Sequence, residues 1–187
     1  MSTIARFSLQ EYDRLIASGV FDFPQRRHVE LIRGELREMT PPGPSHEDAV
    51  DFLTKWSVLS TAGEKVRIRV QNSIGIAPLA SAPEPDIAWV REKKGYKKAR
   101  PAKGDVLLLI EVSDSSLDDD RGTKAKLYAT AGIKDYWIVN LQDHCVEVRR
   151  DPWRGRYRAL QTFTAGEEVR PLVLPKIALS VSELFSS

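Results

Sequence analysis

The sequence has one cysteine, two methionines and no apolar run approaching the roughly 18 residues that cross a bilayer. With Cys145 alone, neither an intramolecular disulfide nor a thiolate metal cluster can form, and its place in the alternating stretch HCVEVRR reads as a buried strand thiol. The N-terminus lacks the basic-then-apolar pattern of a signal peptide, so the expectation is a cytoplasmic protein with no membrane partner. Charge of one sign is also in short supply: 28 Lys and Arg against 26 Asp and Glu leave a net charge of +2. Global charge therefore selects no partner. Local charge is uneven, with the basic stretch REKKGYKKARPAK at 91–103 followed by the acidic SDSSLDDD at 113–120. Such runs more often solvate a loop than bind a ligand.

What is present suits an ordinary globular chain. With 42% hydrophobic and 29% charged residues it can bury a core, and 187 residues without a repeat, linker or low-complexity tract read as one domain spanning 1–187. Ser8 and Glu11 have capping-box spacing ahead of Tyr12, Leu15 and Ile16, which predicts a first helix ending near Gly19, with FDFPQRR as a connecting loop. HVELIRGELREM predicts a tight hairpin around Arg33-Gly34 with Val29, Leu31 and Leu36 turned inward. Ser45 is the expected cap of a second helix carrying Ala49, Val50, Leu53, Trp56 and Leu59 up to Gly63.

Four strand candidates follow: KVRIRVQ, the segment around Ile74 and Ile76, PDIAWV and DVLLLIEVS. The last is apolar on both faces and reads as a central strand covered by helices. DRGTKAKLYATAG predicts a helix stopped at Gly132, with Asp118, Asp119 and Asp120 as capping and helix-dipole residues. DYWIVN returns as a strand, CVEVRR and RYRALQTF form a hairpin around DPWRG, and residues 180–185 form a last helical turn. The alternation of helices and strands predicts an α/β or α+β sheet with helices packed on it and extra hairpins toward both ends.

Three features of this pattern bear on chemistry: Asp86 at a strand start, Glu111 at the end of the central strand, and a lysine on the following helix. A hard divalent ion takes oxygen ligands, commonly one or two carboxylates with water and phosphate completing the shell, and neighbouring strands can supply that pair. A nearby ammonium would position the attacking water. Lys124 and Lys126 compete for this place, and residues two apart on a helix point to nearly opposite sides. Lys124 shares its face with Leu127, Tyr128 and Ala131, and Lys126 with Gly122, Thr123 and Thr130. The first face is the more apolar, which turns Lys124 toward the strand ends and leaves Lys126 in solvent.

These residues carry a family resemblance. VELIRGELREMTPPGPSH, PEPDIAWV and LLLIEVSDSS leading into DRGTKAKLYATAGIKDYWIVN make the chain similar to the Uma-two family of PD-(D/E)XK endonuclease-like proteins over nearly its whole length. The resemblance implies a restriction-endonuclease-like mixed sheet flanked by helices and a magnesium- or manganese-dependent nuclease acting on nucleic acid, with DNA the expected substrate. It matches Asp86 to the PD aspartate and Glu111 to the acid of the (D/E)XK element. Ser113 stands where that element has its lysine, and the role passes to Lys124. It further suggests Glu30 as an acid contributed to the metal site, and His46 as a residue that touches substrate or orients a carboxylate.

Blander readings stand beside these. Glu30 could be a surface carboxylate pairing with Arg33 or Arg37, and His46 a helix-capping residue. Trp153 and Tyr157 among five arginines could stack bases, but cations on an edge hairpin also block sheet-to-sheet aggregation, and that is the preferred reading. His28 and His144 fit no pattern. Ser113 and the near-neutral charge leave open a catalytically idle nucleic-acid-binding or protein-interaction module. A homodimer is expected by analogy with nucleases that address two strands.

Overall fold

The computed structural model describes residues 4–22 and 27–186. Helix α1 (Leu9–Ala17) opens with the anticipated capping box, the Ser8 amide donating to Glu11 Oε2 at 2.8 Å and the Glu11 amide to Ser8 Oγ at 3.2 Å. The loop read at 21–27 falls largely outside the described residues. Strands β1 (Val29–Ile32) and β2 (Glu35–Glu38) pair antiparallel around Arg33 and Gly34. Both turn residues have positive φ, 51° and 82°, the pattern of the turn whose twist matches a two-residue hairpin.

The main sheet has six strands in the order β3 (Val66–Val70), β4 (Ile87–Arg91), β5 (Val106–Ser113), β6 (Asp135–Asn140), β7 (Cys145–Trp153) and β8 (Arg156–Phe163). Only β5 and β6 are parallel. Parallel neighbours need a crossover, here helix α3 (Leu117–Asp119), a π-turn at Asp120–Lys124 and helix α4 (Ala125–Ala131), which ends at Gly132 with φ 82°. A short pair, β9 (Glu168–Val169) with β10 (Leu179–Ser180), and helix α5 (Val181–Leu184), capped by Ser180, close the chain.

Helices cover both faces. On one, α2 (Pro44–Ser60) sets Ala49, Val50 and Leu53 against Ile87, Trp89, Leu108, Ile110 and Trp137. On the other, Leu127, Tyr128 and Ala131 pack on Ala88, Val90, Leu109, Tyr136 and Ile138. Strand periodicity then assigns sides: Ile87 and Trp89 face α2, so Ala88 and Asp86 face α4. By the same alternation Glu111 joins Leu109 on the α4 side.

Two expectations need correction. Gly43, not Ser45, caps α2, accepting from the amides of His46 at 3.0 Å and Glu47 at 3.1 Å. Pro44 at the first helical position explains it, since proline is pre-set for that place and needs no N–H partner there. The segment around Ile74 and Ile76 is no strand of the main sheet. Both side chains are fully buried, but the backbone makes only isolated bridges, to Ala102 and to Ser81. The main chain leaves the ladder at Gln71 and turns back at Ala80, both with positive φ.

Gly34 has no room for a side chain: an added Cβ would lie 2.8 Å from Arg6 Cβ and 3.1 Å from the Phe7 carbonyl oxygen. Gly34→Ala should therefore destabilise the protein by about 1–3 kcal/mol, from backbone strain and this clash together. Urea denaturation checks this; an unchanged midpoint would mean that the hairpin is not held against the N-terminal segment.

Candidate active site

Antiparallel registration of β4 with β5 pairs Ile87 with Ile110, which brings Asp86 beside Glu111 on the α4 face. The Asp86 amide lies 3.4 Å from Glu111 Oε2. Glu111 is a carboxylate inside an otherwise apolar strand: Leu108, Leu109 and Ile110 are fully buried and Glu111 itself is 2% exposed. Tyr128 donates to its Oε1 at 2.7 Å, and Lys124 Nζ stands 3.3 Å from its Oε2. Asp86 Oδ2 accepts from the Val112 amide at 2.8 Å and contacts His46 Nε2 at 3.2 Å, while its Oδ1 accepts from Gln71 Nε2 at 3.3 Å.

The lysine reaches the site through the π-turn. Its widened coil sets Asp120 and Lys124 side by side, Nζ lying 3.3 Å from Asp120 Oδ1. Ser113 and Ser116 each donate to Asp120 Oδ2 at 2.7 Å, and Tyr136 donates to the Asp120 carbonyl at 3.1 Å. Asp120 is thus a buried member of the cluster, not the helix-dipole residue expected, because the π-turn rotates it under the helix. Asp119 stays outside and pairs with Arg37 at 2.9 Å. Lys126 is exposed, so Lys124 and Lys126 divide as the face argument required.

Glu30 is buried, 4% exposed, and accepts from the Glu84 amide at 3.3 Å. It is no surface carboxylate: Arg37 goes to Asp119, and Arg33 points to Thr130. His46 lies in the first turn of α2, half-buried on Asp86. Glu30, His46, Asp86, Glu111, Asp120 and Lys124 all line one open cleft of about 810 Å³. Gln71, Asp120 and Tyr128 are the contributors that sequence reasoning missed; the four-residue spacing of Asp120 and Lys124 was the available signal.

The electrostatics follow from burial. Burial pushes the Glu111 carboxyl well above the usual glutamate range; Lys124 opposes this, and Asp120 and Asp86 reinforce it. Glu30 is raised by burial too, again opposed by Lys124. Burial acts to raise Asp86, but the His46 hydrogen bond and charge, the Val112 amide and Lys124 together leave it below the usual aspartate range. Burial would lower Lys124, yet Glu111, Asp120, Glu30 and Asp86 raise it well above the usual lysine range, so the ammonium stays charged. The Asp86 hydrogen bond likewise raises His46.

Four buried carboxylates thus face one buried ammonium and a half-buried imidazole. Asp120 Oδ1 is buried without a hydrogen-bond partner, apart from its ion pair with Lys124. The surplus of hard oxygen donors fits a divalent cation. Among the described residues no three His, Cys, Asp or Glu side chains converge as a metal cage. The fit is to an ion held by a carboxylate pair, with water and substrate oxygen filling the remaining positions, as magnesium prefers.

Sheet order, crossover and cleft define the restriction-endonuclease-like class. The chain belongs to the Uma2 family, described as "Putative restriction endonuclease", whose model matches residues 9–182. A crystal structure described as "a putative nuclease belonging to DUF820 from Anabaena variabilis" superposes with a TM-score of 0.74 at 17% identity, covering 96% of this chain and 98% of that one. No curated protein matches. Family and fold together support a nuclease role, a hydrolase by class. Among the described residues no helix is long and apolar enough to cross a membrane.

Glu111 makes stability depend on pH in a defined direction. Between the ordinary glutamate value of 4.5 and its raised folded value, the folded state keeps a proton that the unfolded chain releases. Raising pH through that window therefore weakens the fold. In chelator, Glu111→Gln should flatten the fall in melting temperature as pH rises from about 4.5 toward neutrality. Thermal melts across that range test this, and an unaltered slope would show that Glu111 ionises freely.

Proposed function

We propose that this protein is a divalent-metal-dependent nuclease that hydrolyses phosphodiester bonds of DNA in the cleft around Asp86 and Glu111. The supporting observation is the meeting of two strand-borne carboxylates with a buried ammonium at the floor of an open cleft. Asp86 and Glu111 would hold magnesium or manganese, with Glu30 adding a third carboxylate from the hairpin. When bound, the ion supplies Lewis acidity to the phosphate and a water of lowered pKa.

The remaining work falls to the chain. Lys124 is kept protonated by Glu111 and Asp120, so it serves as a donor to the attacking water or a phosphoryl oxygen and not as a base. Preorganised donors of this kind lower the barrier because they need no reorganisation as charge develops. Gln71 and the Val112 amide hold Asp86 in place. His46, at the cleft wall, is bonded to Asp86 through Nε2 and so orients that carboxylate. A homodimer would present two such clefts to the two strands of a duplex, and light scattering that gives a monomer mass would remove that part of the reading.

One observation favours a second reading, a catalytically idle nucleic-acid-binding or protein-interaction module that retains the fold. Each oxygen of Asp86 and Glu111 already has a protein donor or ammonium near it. Calorimetry separates the two: magnesium or manganese should bind the wild type, and Asp86→Ala or Glu111→Ala should abolish the heat. DNA binding without ion binding would favour the idle module.

The lysine pair gives the sharpest kinetic test. Lys124→Ala should lower metal-dependent cleavage by roughly 10²–10⁴-fold, the range for losing a positioned catalytic group. Lys126→Ala should cost little, as surface substitutions do. Both variants are to be measured on one DNA substrate with magnesium; equal losses would remove Lys124 from the mechanism.

A further inference from the structure

Outside the cleft, the most unusual charged group is Arg69 on the edge strand β3. Val66, Ile68 and Val70 pack into the α2-side core, so Arg67, Arg69 and Gln71 lie on the opposite face, the face of Asp86 and Glu111. Gln71 continues the pairing, its amide donating to the Asp86 carbonyl at 2.9 Å and its side chain to Asp86 Oδ1 at 3.3 Å. Arg69 is therefore two residues, about 6–7 Å of extended chain, from a residue that touches the site.

Its neighbours are cations that have acids of their own. Arg67 grips Glu92 with two hydrogen bonds, at 3.0 and 2.6 Å. Arg100 pairs with Asp13 and donates to Ser73 Oγ at 2.7 Å. Tyr96 lies under Arg67, the guanidinium carbon 5.4 Å from the ring centroid. Arg69 has no such acid among the described residues. Its Nε is buried without a hydrogen-bond partner, and its Nη2 reaches only Asn72 Oδ1 at 3.5 Å. Burial and the charges of Arg67 and Arg100 all act against its proton. A half-desolvated guanidinium between two others costs stability unless an anion completes it.

We propose that Arg69, flanked by Arg67 and Arg100, is a phosphate-binding site that grips the DNA backbone where it leaves the cleft over the β3 edge. This rests on the nuclease reading and extends it to the path of the substrate. A planar guanidinium fork suits a phosphate with two free oxygens. The ligand is a polyanion and not an isolated ion because Arg69 and the carboxylate cleft share one face, joined by Gln71, so a strand with its scissile phosphate at Asp86 carries a neighbouring phosphate within reach. Such a contact sets register and contributes affinity without reading sequence.

The test is equilibrium binding of a fluorescent DNA duplex over a salt series. Calcium replaces magnesium, as a hard cation that occupies oxygen sites in looser geometry. Arg69→Gln should weaken binding about tenfold, as loss of a charged hydrogen-bonded contact does. It should also reduce the slope of log K against log salt by about one, the contribution of one neutralised phosphate. Arg69→Lys, which keeps the charge and loses the fork, should keep the slope at reduced affinity, and Lys126→Gln should change neither. Thermal melting of Arg69→Gln should match or exceed the wild type, since an uncompensated charge has been removed. Wild-type DNA binding with unchanged affinity and slope in Arg69→Gln would overturn this inference and leave the nuclease reading standing. Wild-type protein that binds no DNA would overturn both.

Discussion

Keeping the Glu111 carboxylate inside the central strand is the constraint on which the rest of the cleft depends. A charge with apolar neighbours along its own strand costs several kcal/mol to bury, and each surrounding group answers that cost in turn. Lys124 compensates Glu111, but Lys124 is buried as well and draws on Asp120. Asp120 in its turn needs the hydroxyls of Ser113 and Ser116. The sequence of compensations ends with more carboxyl groups than cations, a poor arrangement for a structural core and a suitable one for receiving a cation.

Much of this frame is legible in the sequence. The capping box of Ser8 and Glu11, the Arg33-Gly34 turn and the doubly apolar β5 are local patterns with one physical reading each, and the chain adopts all three. The inward placement of Lys124 against Lys126 was legible because a helix has only one buried face. Asp86 and Glu111 are named from the family resemblance together with the lysine helix, since an acid near a strand end is by itself usually structural, and their adjacency is a matter of register between strands.

What stayed hidden depends on irregular backbone. An aspartate triplet before a helix looks like a dipole cap, and only the π-turn at Asp120–Lys124 moves the third of them beneath the helix. A π-turn has no composition signature, and such turns concentrate at functional sites. Gln71 was invisible for a similar reason: its positive φ takes the chain out of the ladder as its amide reaches Asp86. Ile74 and Ile76 looked like a strand because burial was inferred correctly and hydrogen bonding was not. Ser113 looked like a loss, yet its hydroxyl donates to Asp120, which pairs with Lys124.

The cleft draws on separate stretches of chain that carry Glu30, His46, Gln71, Asp86, Glu111 and the Asp120–Lys124 turn. From Glu30 as far as Glu111 each step in that series closes a loop of roughly fifteen residues or more, and the last step, from Glu111 to Asp120, is the short one. Assembly of the cleft is therefore late, since distant contacts form only after the loops between them have been closed. A nascent or partly melted chain would carry every acidic residue without the enclosure that raises the Glu111 carboxyl and sets the Lys124 ammonium beside it. The arrangement of the cleft is thereby tied to completion of the fold.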